Sequence, residues 1–215
     1  MILGNHTQRW GALICLLGLL LIGCSKGSQG RHAGPVGTSS SEPETTGRVI
    51  PAAGERAMDF KLTSGAFQNG KPIPEQYTGD GNDISPPLMW EGVPEDAQEL
   101  ALICDDPDAP TTEPWVHWVM YKIPRDATGL PEGVPRSERL DQPAGALQGT
   151  NSWPSGNIGY RGPKPPSGEH RYFFRLYALD KPVTLPPKAT KEVLLNAMEG
   201  RIIAEAMLMG TYRHK

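Results

Sequence analysis

Short segments in which apolar and polar residues alternate recur along the chain after residue 48, and most are bounded by glycine or proline. A period of two predicts strands, and continuous apolar runs of similar length predict buried ones. The predicted strands are 58–63, 87–90, 100–104, 115–123, 171–179 and 204–209. Alternation within 115–123 predicts one strand face with these side chains: Trp115, His117, Val119, Tyr121 and Ile123.

A single segment has helical spacing. Thr190 can cap its first turn, Glu192 suits the positive end of the helix dipole, and Gly200 is expected near its end. The 25 glycines and 22 prolines are typical of many turns between short strands. These patterns predict one mainly β domain over residues 48–215.

The formal net charge of -3 argues against a polyanion such as nucleic acid as a partner. The three cysteines stand at 15, 24 and 104, and the first two fall in the N-terminal segment, so no disulfide is expected within the domain. Packing alone must therefore stabilise the predicted core.

The first 47 residues differ from the rest. Residues 1–23 combine a weakly basic head with a short apolar run, which is typical of a secretion signal. The run ends in Leu-Ile-Gly-Cys, which resembles the lipobox of bacterial lipoproteins and predicts a lipidated Cys24. Residues 24–47 are polar and rich in Gly, Ser and Thr, which predicts a disordered tether. The expected location is the bacterial envelope, at the outer membrane if the cell is Gram-negative.

Two histidines belong to the predicted domain in chemically distinctive surroundings. The segment 106–110 upstream of His117 reads Asp-Pro-Asp-Ala-Pro, and proline geometry favours carboxylates of Asp106 and Asp108 that face one place. A Gly- and Pro-rich connection from Gly162 precedes His170. Either histidine could be a satisfied core residue or a ligand-binding one.

The segments 106–110, 115–117 and 162–172, with Ser-Pro-Pro-Leu at 85–88 and Met-Gly-Thr-Tyr at 209–212, resemble the phosphatidylethanolamine-binding proteins, also called Raf kinase inhibitor-like proteins. The resemblance implies an antiparallel β-sandwich with a few peripheral helices. It also implies a small pocket for a phosphate, another small anion or a phospholipid head group, with no cofactor. The implied ligand-binding residues are Asp106, Asp108, Ala109, Pro110, Trp115, His117, Gly162, Pro163, His170 and Tyr172.

Roles within that pocket follow from side-chain chemistry. Asp106 or Asp108 is expected to fix a histidine tautomer and to favour the imidazolium that binds a phosphate oxygen. Asp108 could instead pair with Arg171 in a structural salt bridge. Lys164 stands where bacterial members of the family often have cysteine, and Arg201 where they often have histidine, so Lys164 could add positive charge at the pocket mouth.

Three functions are weighed. The favoured one is a binding module for a small anionic or head-group ligand, which could also regulate a kinase or protease through its surface; the sequence identifies no protein partner. A metal-dependent enzyme would use the two histidines and aspartates, although no closely spaced ligand pair supports it. A hydrolase would use Ser152 or Ser167 with His170, although no Gly-x-Ser-x-Gly motif occurs.

Overall fold

The computed structural model describes residues 59–154 and 157–214. The predicted signal 1–23, Cys24 and the tether 24–47 lie outside the described residues. Two sheets and one α-helix account for the regular structure within this part of the chain. The strands are β1 Lys61–Thr63, β2 Lys71–Pro72, β3 Leu88–Glu91, β4 Glu99–Asp106, β5 Trp115–Pro124, β6 Gly129–Leu130, β7 Leu147–Gln148, β8 Glu169–Leu179 and β9 Ile202–Arg213. The helix α1 spans Lys191–Met198, and a 3-10 helix spans Glu75–Tyr77.

The larger sheet has the strand order β2-β9-β8-β4-β5-β7, and the smaller has the order β1-β3-β6. A strand occurs at each of the six predicted places. β4, β8 and β9 are longer than the alternation indicated, whereas β1 is shorter than the predicted 58–63, of which residue 58 lies outside the described residues. The expectation of purely antiparallel sheets is wrong in one detail, because β2 runs parallel to β9. Strands of two residues, such as β2, β6 and β7, are too short for a periodic signal, which is why sequence patterning did not predict them.

Buried side chains form two hydrophobic clusters on the two faces of the larger sheet. The first joins residues of both sheets, with Trp90 and Leu88 from β3 and Leu102 from β4. The second contains Ile103 from β4 together with Leu194 of α1. Because β4 lies between β8 and β5 and is buried along its whole length, its two faces contribute to both clusters.

The predicted face of β5 is wrong, because the strand contains irregularities. Trp118 belongs to the first cluster and Val119 to the second, whereas His117 packs against Tyr172, a member of the first cluster. Alternation is therefore interrupted between His117 and Trp118, where the pairing of β4 with β5 shifts register. Near the end of β5 its pairing with β4 shifts register a second time, and Lys122 there has a positive φ of 55°. Bulges of this kind reorient individual side chains.

The helix α1 begins as predicted. The Thr190 side chain accepts a hydrogen bond from the Val193 amide at 3.2 Å, and Gly200 with φ 69° follows the helix. Leu194 and Met198 are the buried side of the helix against the larger sheet. Among the described residues, no helix is long and apolar enough to cross a membrane.

Candidate ligand-binding site

Three neighbouring strands bring the chemically distinctive residues to one edge of the larger sheet. Asp106 is the last residue of β4 and pairs with Trp115 at the start of β5. On its other side β8 pairs with β4, and His170 lies near the beginning of β8. Because β4 runs antiparallel to both neighbours, its C-terminal end meets their N-terminal ends. Residues far apart in the sequence therefore converge here.

A cavity of ≈ 320 Å³ opens at this edge. Seven of the predicted pocket residues line it, and these are Asp106, Ala109, Pro110, Trp115, His117, His170 and Tyr172. The remaining lining residues are Thr111, Trp153, Lys164, Pro165 and Pro166. The lining combines aromatic walls with a few polar groups, which is the usual character of a small-molecule site.

Asp108 is not part of this lining, and the expectation that both carboxylates face one place is wrong. The Asp108 amide donates to Asp106 Oδ1 at 2.8 Å, which forms a tight turn after β4. The Asp108 carboxylate then accepts from Arg171, at 2.9 Å from Nε, 2.7 Å from Nη2 and 2.9 Å from the backbone amide. Hydrogen bonding to Arg171 holds the pKa of Asp108 below its usual value. Asp108 therefore fixes the entry of β8 and does not face the cavity.

Gly162 and Pro163, also predicted for the pocket, do not line the cavity; they belong to the connection before β8, which forms its rim. The Gly162 amide donates to Asp83 Oδ1 at 2.6 Å, and the Pro163 carbonyl accepts from the Gly79 amide at 2.8 Å. A Cβ at Gly162 would lie 2.5 Å from the Tyr77 carbonyl oxygen, so only glycine allows this approach. These two residues hold the connection before β8 against the loop that follows the 3-10 helix.

His170 is buried and is oriented by a carboxylate. Its Nδ1 donates to Asp106 Oδ2 at 2.8 Å, and both side chains are at most 8% exposed. This bond assigns the Nδ1 proton and leaves Nε2 as the remaining hydrogen-bonding atom of the ring. Each carboxylate oxygen of Asp106 therefore accepts a hydrogen bond, one from the Asp108 amide and the other from His170.

His117 is oriented by a backbone carbonyl. Its Nδ1 donates to the Arg161 carbonyl oxygen at 2.6 Å, and the Arg161 amide donates back to the His117 carbonyl at 3.0 Å. Burial lowers the pKa of His117 to about 4 against the opposing effects of Arg161 and Asp106. The expectation of a carboxylate-stabilised imidazolium is therefore wrong for His117. The ring is neutral near pH 7, and its Nε2 is a hydrogen-bond acceptor.

Tyr172 supplies a buried hydroxyl to the cavity wall that lies near the Asp106 carboxylate but has no well-aligned hydrogen-bond partner among the described residues. Its hydroxyl makes no hydrogen bond of normal geometry there, although the residue is 1% exposed. Burial raises the pKa of Tyr172, and the charge and hydrogen-bonding interaction of the nearby Asp106 carboxylate raise it further, so the hydroxyl keeps its proton. The Tyr172 ring packs edge-on against His117, with centroids 5.1 Å apart. A protonated hydroxyl in this position is a donor available to a ligand.

Trp153 is a wall residue that sequence reasoning missed. Its ring packs edge-on against both Trp115 and His117, at centroid distances of 5.5 and 5.1 Å. The Arg161 guanidinium lies 5.1 Å above the same ring. Trp153 stands in an irregular segment without periodicity, so no pattern in the sequence indicated its position.

The two enzymatic alternatives gain no support from the geometry. Across residues 59–154 and 157–214, no group of three His, Cys, Asp or Glu side chains is arranged to hold a metal ion. Ser152 Oγ accepts from the Val116 amide at 2.8 Å and lines a different cavity, while Ser167 is exposed. Neither serine belongs to the lining that contains His170.

Comparison with known proteins gives a consistent family. A relative from Methanothermobacter thermautotrophicus, a UPF0098 protein, is 58% identical over 154 residues, which cover 72% of this chain and 99% of the relative. The crystal structure of a phosphatidylethanolamine-binding protein homologue from Chlamydia trachomatis has a TM-score of 0.65 and 43% identity, and the match covers 73% of this chain and 99% of that one.

Escherichia coli YbcL, described as a new member of the mammalian phosphatidylethanolamine-binding protein family, has a TM-score of 0.67 and 32% identity over 73% of this chain and 99% of its own. The family model for phosphatidylethanolamine-binding protein matches residues 63–213. That range contains both sheets except the first two residues of β1, together with every residue that lines the cavity. The chain belongs to the phosphatidylethanolamine-binding protein family.

Proposed function

We propose that the chain is a binding module whose cavity takes a small anion, namely phosphate or a phosphorylated head group. The observation that carries the proposal is one cavity that brings together His117, His170 and a buried Tyr172 hydroxyl whose neighbour, the Asp106 carboxylate, is not aligned for a hydrogen bond of normal geometry. A buried donor without a partner costs roughly 1–3 kcal/mol, and a ligand oxygen that accepts from it would remove that cost.

The ligand must offer donors as well as acceptors. Tyr172 donates, whereas the neutral His117 ring offers an acceptor at Nε2, because its Nδ1 proton is committed to Arg161. A hydrogen phosphate ion has both kinds of group, since its hydroxyl donates and its other oxygens accept. In a phosphorylated head group such as phosphorylethanolamine, the ammonium would be the donor.

The aromatic walls suit such a head group. Trp115 and Trp153 lie edge to face at the cavity, and an indole ring attracts an ammonium through its face. Membership of the phosphatidylethanolamine-binding protein family is consistent with binding rather than catalysis.

Calorimetric titration of the full chain in detergent with inorganic phosphate, and separately with O-phosphorylethanolamine, tests the proposal. His117→Ala and His170→Ala should each weaken binding by about 1–3 kcal/mol, as expected when a hydrogen bond to a charged group is lost. His32→Ala, in the predicted tether, is the matched control and should bind like the unchanged protein. Unaltered affinity in both cavity variants, with circular dichroism intact, would end the pocket hypothesis.

We further propose that Cys24 anchors the domain to the bacterial envelope through acyl chains. The support is the Leu-Ile-Gly-Cys sequence that ends the apolar run, and two or three acyl chains on one residue would give firm attachment. Cys24→Ser should move the protein from the membrane fraction to the soluble fraction and abolish incorporation of labelled palmitate. Unchanged protein that stays in the membrane fraction without incorporating label would contradict lipidation, and Cys104→Ser is the control, which should keep both the label and the membrane attachment.

A further inference from the structure

The lining of the cavity includes one lysine side chain. Among the described residues that line it, Lys164 is the sole lysine or arginine, and its side chain is 55% exposed at the mouth. The deeper polar groups contribute less positive charge, because the low pKa of His117 leaves that ring neutral and Asp106 carries a carboxylate beside His170. Any attraction of the cavity for an anion therefore depends strongly on Lys164.

The Lys164 ammonium pairs with Asp80. Lys164 Nζ lies 3.2 Å from Asp80 Oδ1, while Asp80 Oδ2 accepts from Tyr212 at 2.9 Å and from His214 at 2.6 Å. These hydrogen bonds, that from His214 above all, lower the pKa of Asp80 to about 2, so the carboxylate stays ionised. Residues at the C-terminal end of β9 and just after it therefore hold the Asp80 carboxylate in place.

The backbone of the rim is fixed, whereas the Lys164 side chain can move. A Cβ at Gly79 would lie 3.0 Å from Lys164 Cβ, which shows how closely the two loops approach, and the Gly79 amide bonds the Pro163 carbonyl. Exposed ion pairs like that of Lys164 with Asp80 contribute little to stability. A ligand anion can therefore replace Asp80 as the partner of the ammonium at small cost.

We propose that Lys164 binds the anionic group of the ligand at the cavity mouth and makes the site select a doubly charged phosphate over a singly charged carboxylate. This inference rests on the proposed function of the cavity. Its physical basis is that the Coulomb energy between the ammonium and an anion scales with the charge of the anion. The four-carbon stem of lysine lets the ammonium follow the ligand while the rim stays in place.

The test compares Lys164→Met and Lys164→Arg with the unchanged full chain, by titration with inorganic phosphate and with acetate at pH 8. Lys164→Met should weaken phosphate binding about tenfold, the loss expected for one charge-assisted hydrogen bond, and acetate binding only about threefold. Lys164→Arg keeps the charge and should stay within about threefold of the original phosphate affinity. Lys61→Met, which removes an exposed lysine paired with Glu91 elsewhere, is the matched control and should change neither affinity.

Salt dependence gives a second measurement that a merely structural role would not alter. Phosphate affinity of the unchanged protein should fall as NaCl rises from 0.05 to 0.5 M, and Lys164→Met should remove most of that dependence. If Lys164→Met left both phosphate affinity and its salt dependence unchanged while His170→Ala abolished binding, the inference on Lys164 would be overturned and the cavity proposal would stand. If neither variant affected binding, the cavity proposal itself would fail.

Discussion

Two cavities lie on opposite sides of the start of β5, and they differ in more than size. The candidate site measures ≈ 320 Å³ and is lined by Trp115 and His117, whereas the cavity on the other side measures ≈ 650 Å³ and is lined by Val116. The segment after β7 also contributes to both cavities: Ser152 lines the larger one and Trp153 the smaller one.

In the larger cavity the buried polar groups already have protein partners. Lys191 pairs with the buried Asp105, which Arg175 also contacts at 2.7 Å. The Asn151 side chain donates to the Gly159 carbonyl at 2.9 Å and accepts from the Trp153 amide at 3.2 Å. In the smaller cavity the Tyr172 hydroxyl has only the Asp106 carboxylate nearby, and no well-aligned partner within the described part of the chain. The smaller cavity is therefore the candidate binding site because it contains a polar group without a well-aligned protein partner, and not because of its volume.

The largest expected effect separates the two neighbouring aspartates of β4. Asp105→Ala leaves Arg175 and Lys191 without their buried counter-charge and should lower the free energy of unfolding by about 3–5 kcal/mol. Phosphate affinity of the folded fraction should not change, because Asp105 faces the larger cavity's side. Urea denaturation and calorimetry measure the two quantities.

Asp106→Ala is the matched variant for that comparison. It should destabilise the fold as well, because His170 loses its carboxylate partner, but it should also weaken phosphate binding. Equal losses of affinity in Asp105→Ala and Asp106→Ala would mean that the two faces of β4 do not differ in function.

The second prediction concerns pH. His117 has a pKa of about 4 in the folded protein and an ordinary value near 6.5 when unfolded, so the unfolded chain takes up its proton first as pH falls. The contribution of neutral His117 to the free energy of unfolding is fully present above about pH 6.5. It decreases as the pH falls from 6.5 to about 4, by a total near 3 kcal/mol. His117→Gln keeps a side-chain donor that can reach Arg161 and should show a flatter stability profile in that interval, measured by urea denaturation at several pH values. Parallel profiles for the two proteins would contradict a neutral, buried His117.

The third prediction is that Tyr172→Phe separates stability from binding. Removing a buried hydroxyl that has no well-aligned partner should leave the free energy of unfolding unchanged or raise it by up to about 1 kcal/mol. Phosphate affinity should fall by about 1–2 kcal/mol, because a donor to the ligand is gone. Tyr160→Phe is the control: its hydroxyl donates to the Tyr77 carbonyl at 2.7 Å, so that variant should lose stability and keep its affinity. A destabilised Tyr172→Phe would show that the hydroxyl has a protein partner.

The smallest effect is expected in the larger cavity. Ser152→Ala removes the acceptor of the Val116 amide and should cost about 1 kcal/mol of stability. Phosphate binding should be unaffected. Loss of binding in this variant would indicate that the two cavities are coupled through β5.

Long elements of the fold were predictable from the sequence, and short ones were not. The long strands β4, β5 and β8 carry enough alternating or continuous apolar residues to be recognised. The faces of β5 were not predictable, because the bulge beside His117 depends on how β4 and β5 pair and leaves no local mark in the sequence. The parallel pairing of β2 with β9 depends equally on contacts between distant segments.

For the candidate site, the sequence motifs predicted which residues lie together better than they predicted what each side chain does there. Asp106, His117 and His170 were predicted to come together, and they line one cavity. The protonation of His117 was not predictable, because it depends on burial and on the Arg161 carbonyl, which reaches it from a separate loop. The separation of Asp108 from Asp106 depends likewise on the turn that joins them and on Arg171 from β8.

The fixed rim has a kinetic consequence. The connection that carries Pro163 is hydrogen-bonded to the loop of Gly79 and Asp83, so the entrance exists before any ligand arrives. Encounter then needs no slow backbone rearrangement, and ligands should enter at similar, rapid rates. Differences in affinity among them would arise in how long each one stays.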